Sequence, residues 1–366
     1  MNPYIGHDHQ VYGVEEHRLV GGKGDGMRLL DVRNGKGLEL AVMPDRAADI
    51  YRLKFRGNNM SYLSPCGFVA PFYYEATEKN WLKSFTGGFL TTCGLEAVGT
   101  PCVDEGESFP LHGTIANLPA EHIYWVEEEG YLVIRAVIND EVLFGRKFRL
   151  HREIKISLST NEFYITDQVE NRGDTTQPIQ ILYHLNMGYP LLDEDSVLDI
   201  PSNKVTPRDQ HAADDVDNWM HMQKPTTGYQ ERCYYHSFSG KGEASIFQPK
   251  LNAGVKIEFD TDTLDCFVEW KMMGVRDYVL GLECGNCHPD GRDVMRKKGI
   301  LKFLEPGEKI TFKVKVSMLE DADLAENIEL KLDEAEKMAN STKERLSHTT
   351  IFENAPKSLD KITEIP

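Results

Sequence analysis

Five apolar residues near the end of the chain, Ile310, Phe312, Val314, Val316 and Met318, occupy alternate positions and interleave with Thr311, Lys313, Lys315 and Ser317. A period of two marks an extended strand with one buried face, because successive side chains point to opposite sides of a pleated sheet. Ile154, Ile156 and Leu158 alternate in the same way with Lys155, Ser157 and Ser159. Residues 131–139 carry aliphatic side chains at both parities, which predicts a strand covered on both faces. Residues 162–170, the turn Asn171-Arg-Gly-Asp174 and residues 177–183 read as a hairpin, since Gly and Asn supply the backbone such a turn needs. No βαβ rhythm and no fixed-period repeat interrupts this pattern. Many short strands split by Gly, Asn, Asp and Pro predict an all-β fold, a large antiparallel β-sandwich.

The 366 residues fit one such sandwich, placed at 1–320. Two segments break the strand pattern. Residues 203–233 are polar and irregular and read as a long excursion over a sheet edge or a cleft. Beyond Asp321, Leu324, Ile328, Leu332, Ala335 and Met338 recur at helical spacing in a charged background. An amphipathic helix is expected at 321–346, its stripe docked on the sandwich or on a second copy in a homodimer. An extended tail is expected at 347–366.

Lys and Arg total 41 against 58 Asp and Glu, a net charge of −17. A field of that sign repels phosphate backbones and anionic lipid heads, so neither nucleic acid nor a membrane is an expected partner. No apolar run is long enough to span a bilayer, and the first residues lack a basic region followed by an apolar stretch. Seven cysteines, an odd number, do not resemble an extracellular disulfide framework. A cytoplasmic location with free thiols is the expectation.

Four segments hold residues that could carry chemistry. His112 lies in Phe109-Pro-Leu-His-Gly113, where the neighbouring glycine permits an unusual turn. Strand alternation in 179–186 puts Ile179, Ile181 and Tyr183 on one face and Gln180, Leu182, His184 and Asn186 on the other. Polar groups on such a face are costly unless they meet each other, water or a ligand. Glu283 ends an apolar strand, where desolvation raises a carboxyl pKa toward that of a general base. Asn286, His288 and Arg292 follow in a Gly/Pro-rich loop. Arg46 sits between apolar flanks, either presenting donors to a ligand or pairing with Asp45 or Asp49. Trp81, Trp219 and Trp270 could stack on a ring or fill the core. Cys284-Gly-Asn-Cys287-His288 matches a haem-attachment spacing, but the missing context makes it a coincidence, so neither a metal nor a cofactor is expected.

Four motifs in this order carry a resemblance: Pro44-Asp-Arg-Ala-Ala-Asp-Ile50, Leu111-His-Gly113, His184-Leu-Asn-Met-Gly-Tyr-Pro190, and Gly281-Leu-Glu283 followed by Asn286-Cys-His-Pro-Asp-Gly-Arg292. Together they resemble the galactose mutarotase-like (aldose 1-epimerase) superfamily over about residues 15–318, in a branch without an assigned substrate. The resemblance implies a carbohydrate-active isomerase working on a small sugar without cofactor or metal. It implies Glu283 as base, His184 as acid, His112 beside the sugar ring, and Arg46, Asn186, Asn286, His288, Arg292 and Trp270 as substrate contacts. An aspartate that the family uses on a sugar hydroxyl has no identifiable counterpart in 203–233. The acid and base are expected to face each other across a pocket about one sugar ring wide. Three readings stay open: interconversion of anomers, epimerisation at a C–H centre by the same pair, and carbohydrate binding without turnover. Arg46, Arg208, His288 and Arg292 would favour an anionic sugar.

Overall fold

Residues 3–320 are described by the computed structural model. The expected helix at 321–346, the tail at 347–366 and the homodimer contact assigned to that helix lie outside the described residues.

The first strands, Gly13–Arg18, Arg28–Arg33, Leu38–Met43, Asp49–Phe55 and Asn58–Asn59, form an antiparallel meander in which each pairs with the next. Behind it stand two larger sheets. One orders its eight strands as Val197–Asp199, Gly242–Gln248, Ala253–Phe259, Lys309–Leu319, Glu162–Asn171, Lys147–Ser157, Tyr131–Glu141 and His122–Glu128. The other runs Lys204–Pro207, Arg232–Ser237, Cys266–Met273, Tyr278–Gly285 and Gln177–Met187, with Lys302–Leu304 and Leu90–Leu95 sharing the far edge. The architecture is the all-β sandwich that strand alternation predicts.

The core lies between the two large sheets. Ile165, Phe312, Val314 and Val316 from one meet Ile181, Tyr183, Leu185 and Leu282 from the other. Arg152 is fully buried among them. Its Nη1 lies 2.7 Å from Asp49, its Nη2 2.6 Å from Asp167 and 2.8 Å from Thr92, and Tyr183 donates to Asp167 at 2.7 Å. One guanidinium thereby ties the N-terminal meander to both large sheets, with its charge compensated on two sides.

Two strand expectations need correction. Glu162–Asn171 and Gln177–Met187 are not a hairpin, because the first pairs within the eight-stranded sheet and the second within its partner. The turn between them crosses the layers. Asn171 stabilises that crossing, donating from Nδ2 to the carbonyls of Thr175 and Leu304, each at 2.9 Å. The strand Tyr131–Glu141 is covered on one face only. Leu132, Ile134, Ala136 and Ile138 face the core, whereas on the outer side Arg135 is ion-paired with Glu128 and Glu153 and only Val133 is fully buried.

The sheet containing Gln177–Met187 is covered on both faces. Its second face carries a separate apolar cluster, including Trp81, Phe85, Cys93, Leu182, Val268 and Met295, beneath the loops and short helices of residues 60–118 and 286–301. The candidate site opens in that second cover.

Candidate active site

His184 and Glu283 stand on adjacent strands. The register that pairs Tyr183 with Cys284 and Asn186 with Gly281 puts His184 directly across from Glu283, on the face turned away from the inter-sheet core. Val268 pairs with Glu283 from the other side, and Trp270 pairs with Gly281. Glycine at 281 lets the carboxylate fold back along its own strand, since a Cβ there would collide with Glu283 Oε1.

His184 Nε2 lies 3.2 Å from Glu283 Oε1, and both side chains are almost wholly removed from water. The approach is not aligned as a hydrogen bond: Glu283 Oε1 and His184 Nδ1 are buried without hydrogen-bond partners. Burial lifts the Glu283 carboxyl well above the usual carboxylate range, the charge of Glu231 adds to this, and Arg208 opposes it. Burial pulls His184 down to about 4, opposed by the Asn186 carboxamide. Both shifts disfavour charge, so the pair holds one proton between its two members.

His112 reaches the same place by an unusual backbone. Its φ is 58°, and Gly113 follows at 70°. A side chain at 113 would strike the carbonyl oxygens of Gly94 and Ala97. The loop is stitched to its surroundings: His112 N–H donates to Gly99, Gly94 N–H donates to His112, and Tyr74 donates through its hydroxyl to Gly113 at 3.0 Å. The His112 ring packs 4.7 Å from Trp81 and edge-on 5.6 Å from His184. Burial and the neighbouring His184 lower its pKa, which keeps the ring neutral.

These three residues line a pocket of about 250 Å³. Trp81, Phe85 and Trp270 form aromatic walls, with ring centroids 6.4, 5.5 and 5.1 Å from that of His184. The expectation that acid and base face each other across a sugar-wide gap is not met, because cross-strand pairing brings them into contact.

Glu231 was missed by sequence reasoning. It ends the 203–233 excursion and lines the pocket, accepting from Trp270 Nε1 at 2.8 Å and from Arg208 Nη2 at 3.2 Å. Alternation with Cys233 in the following strand was the available signal, since Cys233 lines the pocket as well. The excursion starts along the sheet edge, where Lys204–Pro207 pairs with Arg232–Ser237.

Several expected substrate contacts are held elsewhere. Arg46 is fully buried outside the pocket, donating from Nη1 to Val69 at 2.9 Å while its Nη2 has no partner; burial lowers its pKa to about 10. Neither expected ion pair forms, as Asp45 pairs with Arg28 and Asp49 with Arg152. Asn286 closes a gap in the sheet, accepting from Ile181 N–H at 2.8 Å and donating to Ile179 O at 3.2 Å. His288 stacks on Tyr235 at 4.2 Å. Arg292 pairs with Asp104 at 2.7 Å over the ring of Phe109. Asn186 sits beneath His184, donating to the carbonyls of His184 and Gly88. Trp219 packs on His236. Only Trp270 among the expected contacts, and Arg208, line the pocket. Three of the four cations suggested for an anionic substrate are therefore absent from it.

All seven cysteines are free. Cys284 faces the inter-sheet core and Cys287 the opposite cluster, so the two thiols do not share a site. No helix among the described residues is long and apolar enough to cross a membrane.

The fold is similar to that of solved galactose mutarotase-like β-sandwich proteins. A Klebsiella pneumoniae protein provisionally named an aldose 1-epimerase superimposes with a TM-score of 0.82 at 24% identity, over 89% of this chain and 90% of that one. A galactose mutarotase-like protein from Clostridium acetobutylicum gives 0.61 at 15% identity, over 85% and 100%. A galactose 1-epimerase from Lactobacillus acidophilus gives 0.57 at 14%, over 84% and 99%. No curated protein sequence matches. Residues 24–318 match the family model described as a domain of unknown function, DUF4432, and the chain belongs to that family.

Proposed function

We propose that the protein is an aldose 1-epimerase, interconverting the anomers of a small free sugar with His184 and Glu283 as its proton-transfer pair. The observation that carries this reading is the 3.2 Å contact between His184 Nε2 and Glu283 Oε1. The two oxygens that exchange protons in a cyclic hemiacetal share a single carbon. An acid and a base side by side match that demand. Inversion at a C–H centre asks instead for proton donors on opposite faces of the carbon.

One proton on the pair is enough. With the carboxylate ionised and the imidazole protonated, Glu283 takes the proton of the anomeric hydroxyl while His184 gives its proton to the ring oxygen. The C–O ring bond breaks and an open aldehyde results. After rotation about the adjacent C–C bond, Glu283 returns a proton to the carbonyl oxygen as the ring hydroxyl attacks from the other face. His184 receives the proton that hydroxyl loses. Protons and bonds balance without oxidant or reductant. The open-chain stage leaves Glu283 protonated and His184 neutral, the form that burial favours. His112, neutral and fixed by its loop, supplies a hydrogen bond to the sugar, and Trp81 and Trp270 pack against the C–H faces of the ring.

Anomer equilibration followed by NMR or polarimetry tests the reading. Wild type should accelerate at least one free aldose, and Glu283→Gln should lose about 10²–10⁴-fold in rate while still quenching tryptophan fluorescence on sugar binding. Equal acceleration by both proteins would remove Glu283 from the chemistry. Binding without acceleration by wild type would make this a carbohydrate-binding protein.

A further inference from the structure

Arg208, Glu231 and Trp270 are already engaged with one another or with neighbours, whereas on the floor Glu283 Oε1, His184 Nδ1 and His112 Nδ1 have no hydrogen-bond partner. Arg208 uses Nε on Asp209 at 3.2 Å, Nη1 on Cys233 at 3.0 Å and Nη2 on Glu231 at 3.2 Å. Trp270 Nε1 also goes to Glu231. His184 and Glu283 face each other, and His112 closes the same floor. The remaining walls are largely apolar, with Trp81, Leu82, Phe85, Leu111, Trp270 and Val268 in them and Thr100 exposed at the rim. A sugar hydroxyl turned toward them would give up water without gaining a partner.

Charge narrows the choice further. Glu231 lines the pocket, and the Arg208 guanidinium is flanked by Asp209 and Glu231. Lys79 is the one further cation lining it, and it is exposed at the rim, where solvent and salt screen it. Arg46 and Arg292, which could have balanced a carboxylate or phosphate, are bound to Val69 and Asp104.

We propose that this site takes a neutral sugar presenting an apolar edge, a deoxy-aldose being the simplest, and rejects uronic acids and sugar phosphates. The proposal deepens the reading of this pocket as a sugar site and rests on it. It predicts preference by subtraction: replacing a hydroxymethyl by a methyl group improves the fit, and replacing it by a carboxylate abolishes it.

The test uses sugars that differ at one carbon. D-Fucose, D-galactose and D-galacturonate carry methyl, hydroxymethyl and carboxylate on the same ring, and D-quinovose, D-glucose and D-glucuronate repeat the series. L-Rhamnose and L-mannose add a third stereochemistry. Tryptophan fluorescence titration reads binding through Trp81 and Trp270, and anomer equilibration reads turnover. In whichever series binds, the methyl sugar should bind and turn over about 10–100-fold better than its hydroxymethyl partner, and the carboxylate should do neither. A hydroxymethyl sugar as good as its methyl partner overturns the proposal while leaving the epimerase reading intact. So does a carboxylate sugar that binds, and loss of that binding in Lys79→Ala would trace it to the rim lysine. A methyl sugar that binds preferentially without equilibrating upholds the substrate class and overturns the epimerase reading. Binding of none of the three series overturns the proposal.

Discussion

His184 and Glu283 lie 3.2 Å apart on neighbouring strands and hold one proton between them, because burial disfavours the charged form of each. This sets the expected pH profile. His184 is lowered from 6.5 to about 4, so acid inactivation belongs near pH 4, where the imidazole gains a proton while Glu283 keeps its own and no base remains. The rate of anomer equilibration, as kcat/KM, should be flat from about pH 5 upward until Glu283 gives up its proton. An acid limb centred near 6.5 would mean that His184 is solvated in the working enzyme.

Gly113 and Gly106 both have positive φ, at 70° and 84°, but differ in what surrounds them. A Cβ at 113 meets the carbonyls of Gly94 and Ala97, whereas one at 106 meets nothing within 4 Å. Gly113→Ala should cost about 3 kcal/mol or more, by steric conflict added to backbone strain, and should slow turnover by displacing His112. Gly106→Ala should cost only about 1 kcal/mol and leave turnover unchanged. Urea unfolding and kinetics on both variants make the comparison.

Asn286 separates a structural from a ligand-binding role. Its side chain replaces missing backbone partners for Ile181 and Ile179. Asn286→Ala should lower stability by about 2–3 kcal/mol by orphaning buried groups. KM should not rise beyond what partial unfolding explains. A large KM effect in a fully folded variant would put Asn286 in contact with the sugar.

Glu96 gives a stability test with a definite sign. Burial and the nearby Asp140 raise its pKa from 4.5 to about 8, with Arg146 opposing. The folded state therefore binds a proton that the unfolded chain releases. Stability should fall as pH rises from about 4.5 to about 8 and then level off. Glu96→Gln removes that ionisation, so the decline in Tm across this window should flatten. A Tm profile identical to that of wild type would place the Glu96 pKa near its ordinary value.

Arg152 joins the N-terminal meander to both large sheets through one buried guanidinium. Arg152→Met would leave Asp49 and Asp167 buried without their cation. The expected loss is about 3–5 kcal/mol, read as a lower urea midpoint. Arg135→Met, on the exposed outer face, should cost less than about 1 kcal/mol.

What the sequence determined by itself was local. Alternating side chains specify strands and their buried faces, and the parity of residues 179–186 correctly sets His184 and Leu182 apart from Ile181 and Tyr183. His112, His184 and Glu283 were legible as a group through their motifs, and the pocket brings all three together. Sheet membership was not legible, because a turn such as 171–176 satisfies its own backbone equally well within one sheet or between two. Only long-range pairing with Leu304 and Glu308 decided that the chain crosses there. The partners of Arg46, Asn286, His288 and Arg292 were hidden for the same reason. Val69, Ile181, Tyr235 and Asp104 lie 23, 105, 53 and 188 positions away. A polar side chain in a loop reads the same whether it waits for a ligand or is satisfied by distant backbone. Burial and distance in the folded chain tell the two apart.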